Sequence, residues 1–118
     1  MRHPGYRPYI SYLKDIAQAM EKIIIFSESL SYFKFQSICP ERDAILYNFQ
    51  IMGEAVKKLP RNFQSKNKHI PWNAMSDLRN DIVHEYFDPD DEIVWEIVQH
   101  DLPKNIADIK RLLEHVDK

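Results

Sequence analysis

The sequence predicts an all-α fold: an antiparallel four-helix bundle with one or two short extra helices. Three observations carry that reading. Apolar residues recur in alternating steps of four and three, at Tyr9, Leu13, Ile16, Met20 and Ile23 and again at Leu102, Ile106, Ile109, Leu113 and Val116, which is the spacing of one helical face. Only two glycines occur, Gly5 and Gly53, too few for β-hairpin turns or for a glycine-rich phosphate loop. The seven prolines fall mostly between the periodic segments, where they act as stops.

Taken in order, residues 1–8 are polar, contain prolines and read as a loose arm. A first helix is expected from about Pro8 to Glu28, with Lys14, Asp15, Gln18, Glu21 and Lys22 on its polar side. Ser31-Tyr32-Phe33-Lys34-Phe35 reads as an aromatic turn or half-helix closing one end of the bundle. Cys39-Pro40-Glu41-Arg42-Asp43 has proline and acids where a helix begins. Two stripes follow: Ile45, Phe49, Met52, Val56 and Leu59, and Ala44, Tyr47, Ile51 and Ala55. A helix apolar over so wide an arc is buried on more than one side, so this is the expected central helix. Gly53 lies in its middle at a cost of about 1 kcal/mol relative to alanine. Close approach of a neighbouring helix is the expected reason, with Glu54 a buried polar partner. Pro60 ends the helix.

Residues 61–70 read as a basic connection. Ile70-Pro71-Trp72 opens the next helix, anchored by Trp72 and running through Met75, Leu78, Ile82, Val83 and Tyr86 to about Phe87. Asp88-Pro89-Asp90-Asp91 reads as a break and an N-cap. Ile93, Val94, Ile97 and Val98 form the apolar side of the helix after it, which Asp101-Leu102-Pro103 either kinks or restarts with Asp101 as cap. Strand signals of comparable strength, repeats and low-complexity segments are missing. Residues 1–118 thus read as one helical domain.

The composition, 44% hydrophobic and 29% charged, is that of a soluble globular chain. Cys39 is the sole cysteine, which excludes an internal disulfide and a thiolate metal cluster. The N-terminus lacks the apolar core of a secretory signal, and the longest apolar run, around Ile23-Ile24-Ile25-Phe26, is far too short to span a membrane. A cytoplasmic location is expected. The net charge of −2 conceals an asymmetry. Residues 54–76 carry Lys57, Lys58, Arg61, Lys66 and Lys68 against Glu54 alone, whereas residues 77–101 carry nine acids against Arg79 alone. Such a split permits an anion-binding surface on an acidic protein, or simply two solvated faces that balance each other.

The densest chemistry lies in Arg79-Asn80-Asp81-Ile82-Val83-His84-Glu85-Tyr86. On a helical wheel with Arg79 at the origin, Asn80 falls at about 100°, His84 at about 140° and Tyr86 at about 340°. Asn80 and His84 share one polar edge, Arg79 and Tyr86 another. Arginine can hold phosphate oxygens in a fork, and histidine can take or give the proton of a hydroxyl or alkoxide. A metal-free ribonuclease needs little else beyond positioning. A second acid–base group is not evident nearby, so a symmetric dimer that sets two copies of the stretch face to face would supply it. The scattered His69, His100 and His115 do not form a metal-ligand pattern with His84; neither metal nor cofactor is expected.

Four ordered segments carry a family resemblance. Ile51-Met52-Gly53-Glu54-Ala55-Val56 resembles an I-x-G-E-A helix, Ile70-Pro71-Trp72 an I-P-W entry, and Arg79 to Phe87 an R-N-x-[LI]-V-H-x-Y-F core; Val94-Trp95-Glu96-Ile97-Val98 with Asp101-Leu102-Pro103 resembles a closing segment. Together, over about Tyr9 to Leu113, they resemble the HepT-like branch of the HEPN proteins, small helical toxins of prokaryotic toxin–antitoxin pairs. Ser76-Asp77-Leu78 departs from the pattern, since relatives usually carry a small residue and then methionine before the arginine.

The resemblance implies a HEPN-like fold and a metal-independent endoribonuclease, the toxin of a type VII-like pair, with tRNA among its candidate substrates. Arg79 and His84 would be the catalytic pair, Asn80 a supporting polar contact, and a homodimer cleft the working unit. The implied partner is a cognate minimal nucleotidyltransferase acting as antitoxin by transferring AMP to Tyr86. Lys57, Lys58 and Lys66 are candidates to contact the RNA backbone. The competing reading is a non-catalytic dimeric helical partner, or substrate-binding subunit, of such a transferase.

Overall fold

A computed structural model describes residues 8–84 and 90–116, with residues 83, 84 and 116 described in backbone only. Most of the expected N-terminal arm, Glu85 to Phe87 and the Asp88-Pro89 break lie outside the described residues.

Helix α1 (Tyr9–Glu28) buries its predicted stripe from its second position on: Leu13, Ile16, Met20 and Ile23 are fully enclosed, while Tyr9 is half-buried. Each such side chain contributes about 1.5–3 kcal/mol of transfer free energy. A half-helix, α2 (Tyr32–Phe35), follows, its first turn capped by Ser31, whose Oγ accepts from the Lys34 amide at 3.1 Å. Phe35 of α2 is buried against Trp95, with ring centroids 5.2 Å apart. The Arg42 guanidinium lies over the Phe35 ring, donates to the Phe35 carbonyl at 3.0 Å and meets Asp91 at 2.7 Å. One side chain thereby ties the end of the bundle together.

Helix α3 (Pro40–Lys58) is central, packing most extensively against α1 and then against α5 (Trp72–His84). Its first predicted stripe is buried throughout. The second is not: Ala55 is buried, Ala44 and Ile51 are half-buried, and Tyr47 stands in solvent. The basic connection contains a short helix, α4 (Arg61–Lys66). Gln64 Nε2 explains it, donating to the carbonyls of Val56 and Leu59 at 3.1 and 3.3 Å and so closing the end of α3. The start of α5 is fixed by Trp72, buried and donating from Nε1 to the Asn67 carbonyl at 3.0 Å. Its ring packs with Phe63 of α4, which in turn meets Tyr9.

Asp90 caps α6 (Asp91–Glu96) as expected, its Oδ1 accepting from the amides of Glu92 and Ile93 at 3.0 and 3.3 Å. Ile93, expected on the buried side, is exposed. Asp101 is not a cap. A π-helical turn, Ile97–Asp101, carries α6 without a break into α7 (Leu102–Val116), and the Leu102 amide reaches back five residues to the Ile97 carbonyl. Pro103 has no N–H to give and its ring would crowd the preceding turn; the wider π turn absorbs both. Helix α7 closes the bundle against α1, where Lys110 and Glu21 pair at 2.7 Å. The long elements are therefore α1, α3, α5 and the continuous α6–α7, with α2 and α4 as the short extras. Among the described residues there is no strand, and no helix is long and apolar enough to cross a membrane.

Candidate active site

Gly53 is where the site begins. A Cβ there would fall 2.8 Å from Arg79 Cγ and 3.1 Å from the Met75 carbonyl, and would collide with Arg79 Cβ. The missing side chain thus lets α5 lie against α3 with the arginine stem crossing the glycine backbone. This is the close approach that the central glycine predicts.

From that crossing, the Arg79 guanidinium extends toward α3. Its Nη2 donates to Glu54 Oε1 at 3.1 Å and its Nη1 to Asn80 Oδ1 at 3.2 Å. The same Asn80 oxygen accepts from Lys57 Nζ at 2.7 Å. Glu54, Arg79, Asn80 and Lys57 therefore form one connected group across the α3–α5 interface. Two expectations change here. Glu54 is indeed a polar partner, but its side chain is 57% exposed rather than buried. Arg79 and Asn80, placed on separate edges by the helical wheel, are joined directly, because the long arginine side chain bends back to the Asn80 oxygen.

Arg79 itself is only 23% exposed, and among the described residues its buried Nε–H has no acceptor. A guanidinium carries five N–H donors. Among the described residues one on Nη1 and one on Nη2 are used, so the group can be anchored and still offer donors to a phosphate.

The other predicted residues are distributed as follows. His84 ends the described part of α5, five positions beyond Arg79 on the same helix, and its imidazole lies outside the described side chains. Tyr86 lies outside the described residues. Lys57 is brought into the site directly. Lys58, exposed, lines a cleft of about 290 Å³ with Tyr12, Asp15, Ile51, Glu54 and Ala55, on the α1 side of the same glutamate. Lys66 sits exposed in the last turn of α4, and no hydrogen bond or ion pair joins it to Arg79 among the described residues. A separate cleft of about 520 Å³ at the start of α5 is lined by Arg61, Ser65 and Lys68 but not by Lys66. No group of three or more His, Cys, Asp or Glu side chains among the described residues is arranged to hold a metal ion. The contact that sequence reasoning missed is the Glu54–Arg79 pair. Its signal was the Gly53-Glu54 dipeptide: a glycine that admits a neighbouring helix, followed by an anion that can meet a cation on it.

The profile of the family described as ribonuclease HepT-like matches residues 16–116. A provisionally named RNase of Methanocaldococcus jannaschii is 32% identical over 107 residues, covering 91% of this chain and 88% of its own length. A larger protein of the same organism, named for a gamma-glutamylcyclotransferase together with a provisional RNase, is 33% identical over 107 residues, and the chain spans 48% of its length. A protein named as a probable ribonuclease HepT in Thermococcus cleftensis is 33% identical over 97 residues, covering 82% of this chain and 88% of its own. No solved structure matches. The family profile spans most of the helical bundle and takes in both the Gly53-Glu54 crossing and the Arg79–His84 stretch of α5: the chain belongs to the HepT-like ribonuclease family.

Proposed function

We propose that the protein is a metal-independent endoribonuclease, the toxin of a toxin–antitoxin pair, acting through Arg79 and His84 in a homodimer cleft. The observation that carries the reading is an Arg79 guanidinium held on two sides with, among the described residues, donors to spare, five residues before His84 on one helix. Arg79 holds the non-bridging oxygens of the scissile phosphodiester and stabilises the charge that builds on them. His84 takes the proton of the ribose 2′-hydroxyl as its oxygen attacks phosphorus. His84 of the second copy gives a proton to the departing 5′-oxygen, so the proton count closes without a metal. Asn80 supports Arg79, and Lys57, Lys58 and Lys66 track the RNA backbone on either side of the cleft.

Control follows from the same chemistry. A cognate nucleotidyltransferase places AMP on Tyr86, two residues beyond His84. The added phosphate repels RNA phosphates and its bulk closes the cleft. The experiment is cleavage of total RNA, in EDTA, by the wild type and by His84→Ala and Arg79→Ala chains of unchanged helical content. The wild type cleaves and both variants lose at least about a hundredfold in rate. Variants as active as the wild type would remove both residues from the chemistry.

A further inference from the structure

The ribonuclease reading leaves Glu54 without a task. Glu54 and Lys57 stand three residues apart on α3 and both reach across to α5. Lys57 Nζ and Arg79 Nη1 converge on one neutral oxygen, Asn80 Oδ1, at 2.7 and 3.2 Å. Two cations so placed repel each other, and the Glu54 carboxylate, 3.1 Å from Arg79 Nη2, offsets them. Stability is a poor reason for this pair: a glutamate more than half exposed contributes little through an ion pair that water and salt screen. Orientation is a better one. The Arg79 stem is fixed on Gly53, Nη1 is fixed by Asn80 and Nη2 by Glu54. Three constraints define one plane for the guanidinium. With Nε–H buried, the N–H groups on Nη1 and Nη2 that no described residue takes up are the ones available to a ligand.

The geometry points to Glu54 as a positioning residue: its carboxylate holds the Arg79 guanidinium in the plane that presents the remaining donors to an RNA phosphodiester. This deepens the ribonuclease reading and rests on it for its kinetic consequence. Glu54 also places a negative charge beside the phosphate, so its removal affects binding and turnover in opposite senses.

The test compares Glu54→Ala with Glu54→Gln, at a position exposed enough to accept either. Glutamine keeps an oxygen at the same reach and loses the charge; alanine loses both. In Glu54→Ala, kcat falls about tenfold because the guanidinium is free to turn, while KM for RNA falls as the repelling charge is removed. In Glu54→Gln, kcat returns to within about threefold of the wild type and KM stays low. A purely structural role would lower kcat in proportion to the folded fraction and leave KM alone, and that result overturns the proposal. So does a higher kcat in Glu54→Ala, which would make Glu54 a competitor for the phosphate fork. A second arm does not need cleavage. The Arg79 Nε–Hε resonance, assigned with Arg79→Lys, is sharp and slow to exchange in the wild type and in Glu54→Gln, and broadened in Glu54→Ala. An unchanged resonance in Glu54→Ala overturns the proposal. A wild type that never cleaves RNA overturns the ribonuclease reading instead, and the resonance still decides whether Glu54 positions Arg79.

Discussion

Gly53 and Arg79 meet backbone to stem across the α3–α5 interface, so the residue that most weakens the central helix is also the one that locates the arginine. The two facts have one cause. Glycine costs a helix interior about 1 kcal/mol relative to alanine, and that loss is tolerated where a side chain has nowhere to go.

Replacing Gly53 with alanine tests this directly. The variant regains up to about 1 kcal/mol of helix propensity, but pushing Arg79 and the Met75 carbonyl aside costs about 1–3 kcal/mol. The atom in the way is Arg79 Cβ, which cannot swing clear without moving α5, so overpacking wins. We expect net destabilisation of about 1 kcal/mol, read as a melting temperature lower by about 4 °C. RNA cleavage falls by more than the loss of folded protein explains, because the guanidinium is displaced along with the stem. An equal or higher melting temperature with full cleavage would mean that α5 yields freely.

Lys57 and Lys66 lie in the same basic stretch of sequence but differ in place. Lys57 is bonded to the Arg79–Asn80 group; Lys66 stands exposed at the end of α4. Each phosphate contact made on single-stranded RNA adds about 0.7 to the slope of log affinity against log salt. Lys57→Ala should flatten that slope by about one such step and slow turnover as well, since the lysine also holds Asn80. Lys66→Ala should flatten it by no more than that step and leave turnover unchanged. Filter binding over a salt series with single-turnover cleavage separates the two. Equal effects of both substitutions on turnover would place Lys66 at the reacting phosphate as well.

The stripe of α1 and the first stripe of α3 were legible in the sequence because burial there follows a strict period, and each predicted position from Leu13 to Ile23 is enclosed. The α4 helix was not, since it is tied to the end of α3 by Gln64, a contact that no periodicity records. Asp101 misled for a related reason. An acid before Leu102-Pro103 looks like a cap, yet a π turn lets the chain stay helical through the proline. At the site, residue types were readable and pairings were not. Arg79 stood out by its neighbours in sequence, whereas Glu54 lies 25 positions away and Lys57 lies 23 from Asn80. Only the crossing at Gly53 brings them together.

The proposed dimer makes a quantitative demand that mixing experiments can meet. If the cleft needs His84 from both copies, one as base and one as acid, then a dimer holding one His84→Ala chain is inactive. With subunits exchanged at random, equal amounts of wild type and variant leave about a quarter of the dimers fully wild type, so activity per total protein falls to about a quarter of that of the unmixed enzyme. A chain that cleaves with its own His84 alone gives about one half under the same conditions. His84→Ala is the suitable variant because it is meant to remove the proton relay while leaving the Glu54–Arg79–Asn80–Lys57 group in place. A titration of variant into wild type that follows the square of the wild-type fraction supports the shared cleft. A straight line assigns the whole reaction to single chains, and the second proton relay must then be sought within one copy.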